Sequence, residues 1–67
     1  MSTDAVASVK ALFTRSELQL ASQLDDVNDI ESQIVVPAMP RINNLTGQEN
    51  NPRYMAYLLQ YYARTAL

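Results

Sequence analysis

An apolar residue returns every seven positions near the start of the chain: Val6, Phe13, Leu20, Val27 and Ile34. A seven-residue repeat keeps one seam along the same side of a slightly under-wound helix. Three residues after each of the first four come Val9, Ser16, Gln23 and Ile30, apolar at the ends and polar in the middle. Leu24, one place beyond Gln23, fills part of that gap. The stretch contains neither Gly nor Pro, and its Ala, Leu, Gln and Glu residues favour helix. The pattern predicts one long amphipathic helix over 3–33, roughly 45 Å at 1.5 Å per residue. Ser2 or Thr3 can cap it, and Asp4 suits the positive end of its dipole. Thr14-Arg15-Ser16-Glu17 fits a capping box and offers a second start signal inside it. The heptad runs through that signal, so the expectation is an unbroken helix. Asp25, Asp26, Asp29 and Glu31 then crowd its last turns. There they oppose the negative end of the dipole and read as a solvated acidic face, or as a patch for a basic partner.

From Ile34 to Ile42 the chain reads Ile-Val-Val-Pro-Ala-Met-Pro-Arg-Ile. Two prolines three apart are expected to exclude continued helix and to force the preceding residues extended. The expectation over 34–51 is a connector whose apolar residues, Ile34, Val35, Val36, Met39 and Ile42, lie against a helix or another subunit. Pro37-Ala38-Met39-Pro40-Arg41 also matches the PxxP pattern read by SH3 domains, a match common by chance. Asn43 to Asn51 reads as the true loop, with Gly47, the only glycine, at a positive-φ turn. Asn44-Leu45-Thr46 is a formal glycosylation sequon, silent unless the chain is secreted.

A second helix is predicted over 52–66, capped by Asn51 with Pro52 in the first turn. Its apolar residues form two lines. Met55, Leu59, Tyr62 and Ala66 make one. Tyr54, Leu58 and Tyr61 make the other, with Tyr57 beside it. The first line brings fewer polar atoms and is the expected inner face. Tyr54, Tyr57 and Tyr61 then point outward near Arg53 and Arg64, and Tyr with Arg commonly dominates binding energy at protein interfaces.

Composition narrows the function. A chain of 67 residues is one small domain, and chains of this size are marginal without a staple. With no Cys and no His, disulfides, thiolate metal sites and the usual neutral-pH base are excluded. The acidic residues lack an EF-hand spacing and an apolar setting, so no catalytic, cofactor-binding or metal-ligating residue is assigned. Five scattered basic residues and a net charge of −2 leave no footprint for nucleic acid. No apolar run approaches the ~20 residues of a membrane span, and the polar start is wrong for a signal peptide. The default location is cytoplasmic, with non-classical export or incorporation in a particle left open.

Asn50-Asn51-Pro52 followed by the Tyr- and Leu-rich stretch from Tyr54 to Tyr62 resembles the small helical hairpins of type III secretion needles and inner rods. The resemblance covers about a quarter of the chain. It departs at Leu67, where needle subunits continue with a longer C-terminal helix. It implies that a hairpin of this kind can serve as an assembly unit.

The expected fold is all-α, a helix–loop–helix packed in an oligomer or larger assembly. The first helix is about twice the length of the second, so half its seam would need another chain. The expected self-association seam is Val6, Val9, Phe13, Leu20, Leu24, Val27, Ile30 and Ile34. The expected partner contacts are Tyr54, Tyr57, Tyr61 and Arg64. The expected function is a non-enzymatic structural or assembly subunit, a building block of a homo-oligomer, filament, virion-type or secretion-type complex. The alternative is a small adaptor or chaperone that binds a helix of one partner protein.

Overall fold

The computed structural model describes the backbone from Thr3 to Leu67 and the side chains from Ala7 onward. The capping roles of Ser2 and Thr3, the place of Asp4 and the seam position Val6 lie outside the described residues. Among the described residues the protein is all-α and has no strand. Helix α1 spans Thr3–Leu12 and α2 spans Arg15–Gln23. Helix α3 covers 27–46 without interruption: α-helical over Val27–Ile30, one π turn over Glu31–Val35, α-helical again over Val36–Thr46. Helix α4 spans Pro52–Thr65.

The single helix expected over 3–33 is therefore three pieces, and each break has a local cause. At the first, Thr14 is extended and the capping box is complete. The Glu17 N–H donates to Thr14 Oγ1 at 3.1 Å, and the Thr14 N–H donates to Glu17 Oε1 at 2.8 Å. Two of the four amides orphaned at the helix start are thus satisfied reciprocally. At the second, the chain leaves helix at Leu24, and Asp26 caps α3 by accepting the Asn28 N–H at 2.8 Å. The acidic cluster is thus the opposite of a misplaced C-terminal one. Asp26 and Asp29 open a helix, where negative charge is favourable.

The extended connector expected from Ile34 onward is also corrected. It is helix as far as Thr46, with Pro40 inside it. Neither Pro37 nor Pro40 can donate to the helical ladder, and each ring crowds the carbonyl four residues back. The π turn ahead of Pro37 widens the backbone there: the Val36 N–H donates to the carbonyl of Glu31, five residues back. Burial supplies the driving force. Ile34, Ala38 and Ile42, spaced by four, and Val35 beside them are all buried. A helical Pro37–Pro40 segment also removes the polyproline geometry an SH3 ligand requires.

The actual loop is short. Gly47, at φ 72°, terminates α3, and its N–H donates to the Asn43 carbonyl at 2.9 Å. Asn51 caps α4 by accepting the Tyr54 N–H at 2.9 Å, with Pro52 in the first turn. Between them Asn43 Oδ1 accepts from the Asn50 backbone N–H at 2.9 Å and from Asn50 Nδ2 at 3.0 Å. Asn50 Nδ2 also reaches Thr46 Oγ1 at 2.8 Å. These bonds set the angle at which α4 departs.

Helix α4 is the centre of the molecule. It packs against α1, α2 and the first half of α3. It buries Met55, Ala56, Leu58, Leu59 and Ala63 against Val9 and Phe13, Leu18 and Ala21, and the buried side of α3. Small residues at Ala56 and Ala63 bring neighbouring helices close to its axis. The premise that half of a long helix lies uncovered within one chain thus falls, because the chain folds back on itself twice.

Candidate functional site

The arrangement around α4 follows from its wheel. The buried Met55, Ala56, Leu58, Leu59 and Ala63 share one side of the helix and leave the opposite side exposed as a strip. Along that strip stand Tyr54, Tyr57 and Tyr61, 51%, 49% and 48% exposed, with Arg64 at its C-terminal end. Of the expected inner line, Met55 and Leu59 are buried and Tyr62 is half-buried, while Ala66 lies beyond the helix and is exposed. Leu58, placed by the sequence on the outer line, is buried against α1 and its neighbours.

One edge of the strip is pinned to α3. Arg53 Nη1 donates to Asn28 Oδ1 at 2.6 Å and to Glu31 Oε1 at 3.0 Å. The same guanidinium sits 5.1 Å from the centroid of the Tyr57 ring. The hydrogen bond from Arg53 to the Glu31 carboxylate raises the arginine pKa above its ordinary value, so the group is a permanent cation. A cation over a ring at this distance is attracted by the ring quadrupole and restricts Tyr57 before any partner arrives. Further along, Gln60 Nε2 and Arg64 Nη2 both donate to the Asp25 carbonyl, at 3.1 and 3.2 Å. The break between α2 and α3 is thereby tied to the strip, because an irregular turn leaves its carbonyl open.

The other edge borders a cleft of about 190 Å³ between α1, the α3–α4 turn and α4. Val9, Leu12, Met55 and Leu58 supply its apolar lining, and Ser8, Thr46, Gln48, Asn50 and Tyr54 its polar lining. Tyr54 belongs to both features, so the cleft and the tyrosine row form one continuous surface.

The expected self-association seam does not survive as a line. Val9, Phe13, Ile30 and Ile34 are buried in the chain's own core, and Leu24 and Val27 pack partly against it. Leu20 is 38% exposed. With Ser16 and Gln23 it lines an open hollow on α2. The physical reason is that a heptad seam requires one straight helix, and the two breaks rotate its members onto different walls of one small core.

Sequence reasoning missed Glu17 and Arg41 as a pair. Arg41 donates to Glu17 Oε1 at 2.6 Å, to Glu17 Oε2 at 3.2 Å and to the Leu12 carbonyl at 2.9 Å. Partial burial pushes the Glu17 carboxyl up. The hydrogen bonds from Arg41 and the Thr14 N–H, together with the Arg41 charge, outweigh this and hold it below its ordinary 4.5. The capping box was the visible half of this signal; the arginine comes from 24 residues away.

Among the described residues, no helix is long and apolar enough to cross a membrane, and no group of three His, Cys, Asp or Glu is placed to hold a metal ion. Compared with known proteins, the chain matches no family model, no curated protein and no solved structure.

Proposed function

We propose that the protein is a non-enzymatic structural or assembly subunit whose contacts are made by the outer face of α4. The observation that carries this reading is the row of half-exposed Tyr54, Tyr57 and Tyr61, with Tyr57 restrained by Arg53. Tyrosines bring large contact area at low conformational cost, and restraint lowers that cost further. Such rows are enriched at protein interfaces. The adaptor reading rests on the adjoining cleft, whose apolar lining suits one apolar side chain of a partner helix.

The test compares the wild-type chain with Tyr57→Ala and Tyr61→Ala. Both variants should keep the wild-type circular dichroism and melting temperature within a few degrees, since the side chains point away from the core. Both should lose association, either with themselves by sedimentation or with partners retained by the tagged protein. The reading fails if every interaction of the wild-type protein survives both substitutions, or if the variants unfold.

A further inference from the structure

We infer that Phe13–Thr14 is a hinge through which two copies of the chain exchange their first helix. In the exchanged pair α1 and α2 join into one straight helix over 3–23, and α1 takes on the second copy's α4 the place it holds on its own. The occupant of that place is fixed by the closed chain, where α1 already fills it. The exchange makes no use of the tyrosine row and so stands apart from the reading of α4's outer face.

The hinge is short and carries conflicting instructions. Only Phe13 and Thr14 separate α1 from α2. Residues 3–23 contain no Gly and no Pro, and the seven-residue spacing of Phe13 and Leu20 suits a straight helix. The Thr14–Glu17 capping box suits a break. A short hinge between packed elements favours exchange, because straightening it carries one element out of reach of its own chain.

The hydrogen bonds nearly balance. Straightening gives up the reciprocal bonds of Thr14 and Glu17 and the bond from Arg41 to the Leu12 carbonyl. It returns the N–H groups of Thr14, Arg15, Ser16 and Glu17 to the carbonyls four residues back, from Lys10 to Phe13. The Arg41–Glu17 ion pair joins α3 to α2 and does not depend on where α1 lies.

Little holds α1 shut. Among its described side chains only Val9 is buried, Leu12 is half-buried and the rest are exposed. The cleft of about 190 Å³ beside Val9 and Leu12 leaves the seat incompletely filled. Met55 and Leu58 line that seat. Exchange covers them again, whereas simple undocking leaves them in water. The docking contacts therefore cancel between closed chain and exchanged pair, and the hinge and the concentration decide. The exchanged α1 ends where the second copy's own α1 would end, so the two hinges meet. Ser16, Leu20 and Gln23, which line an open hollow in the closed chain, then continue the line of Val9 and Phe13 beside that junction.

A tethered α1 competes at an effective concentration of about millimolar, which sets the scale for exchange. The chain has no cysteine, so introduced thiols report without background. Ser8→Cys on α1 and Gln48→Cys across the cleft are prepared singly, unfolded together in urea, refolded at millimolar concentration and treated with a short thiol cross-linker. The mixture should yield several-fold more cross-linked dimer than either variant alone. In the same assay Thr14→Ala should lower the concentration needed for exchange, and Thr14→Gly should raise it, the two differing by at least tenfold. Both remove the same hydroxyl, but Gly caps almost as well as Thr and resists a helix running through residue 14, which Ala favours. Circular dichroism shows whether both variants fold; where either does not, the cross-link in the Thr14 chain still decides. No excess cross-link in the mixture overturns the exchange. So does an identical concentration dependence of folded Thr14→Ala and Thr14→Gly, which removes the straight helix. A cross-link abolished by Tyr57→Ala also overturns it and assigns the pairing to the outer face of α4.

Discussion

Replacing Arg41 with Ala should expose how the first helix break is held. Arg41 ties three pieces together: the last turn of α1 through the Leu12 carbonyl, the start of α2 through Glu17, and α3 on which it sits. The Leu12 bond at 2.9 Å is worth about 1 kcal/mol net. The ion pair to Glu17 has partly exposed side chains, 41% and 23%, which places it in the range of about 0.2–1 kcal/mol for surface pairs. Ala favours helix at least as well as Arg, so no propensity loss offsets the comparison. The sum is about 1–2 kcal/mol, or roughly 4–16 °C in melting temperature for a domain of this size. The pH dependence separates the two parts. Glu17 has a folded-state pKa held below 4.5. Its stabilisation is fully present above that ordinary value and is lost as pH falls through the lower folded value. Urea unfolding followed by circular dichroism at neutral pH and near pH 3 should therefore show the Arg41→Ala penalty shrinking on acidification, toward the hydrogen-bond part alone. Glu17→Gln in a double-mutant cycle should give a coupling of about 0.5–1 kcal/mol at neutral pH and less in acid. A penalty below about 0.3 kcal/mol, within the error of such cycles, or one identical at both pH values, would refute this account of the clasp.

Leu59, wholly buried at the centre of α4, should lose about 2–5 kcal/mol on truncation to Ala, read as a lower urea midpoint. Leu20→Ala, at a position 38% exposed, should stay within about 0.5 kcal/mol of wild type by the same titration. A larger loss there would mean that the heptad, rather than the folded core, governs stability. Gly47→Ala meets open space but forces a side chain to φ 72°, which costs about 1–2 kcal/mol; a thermal melt unchanged by it would place that strain elsewhere.

Local chemistry in the sequence determined where helices can begin and end. The Thr14–Glu17 capping box, Asn51 before Pro52, and Gly47 at a positive φ need only neighbours a few residues away. The apolar spacing of Ile34, Ala38 and Ile42 was also written there as a helical period, beneath the louder signal of two prolines. Tertiary structure decided which of the competing local signals prevailed. The heptad and the capping box cannot both be satisfied at residues 13–16. The box wins because breaking the helix lets Phe13, Leu18 and Ala21 reach one core, and because Arg41 from α3 closes over the break. Pro37 and Pro40 stay helical because the burial of Ile34, Val35, Ala38 and Ile42 offsets two missing donors. The rotation of α4 was legible in part: the apolar lines put Met55 and Leu59 inside and Tyr54, Tyr57 and Tyr61 outside, as they are, but packing against three other helices also takes Leu58 inside, away from the outer line.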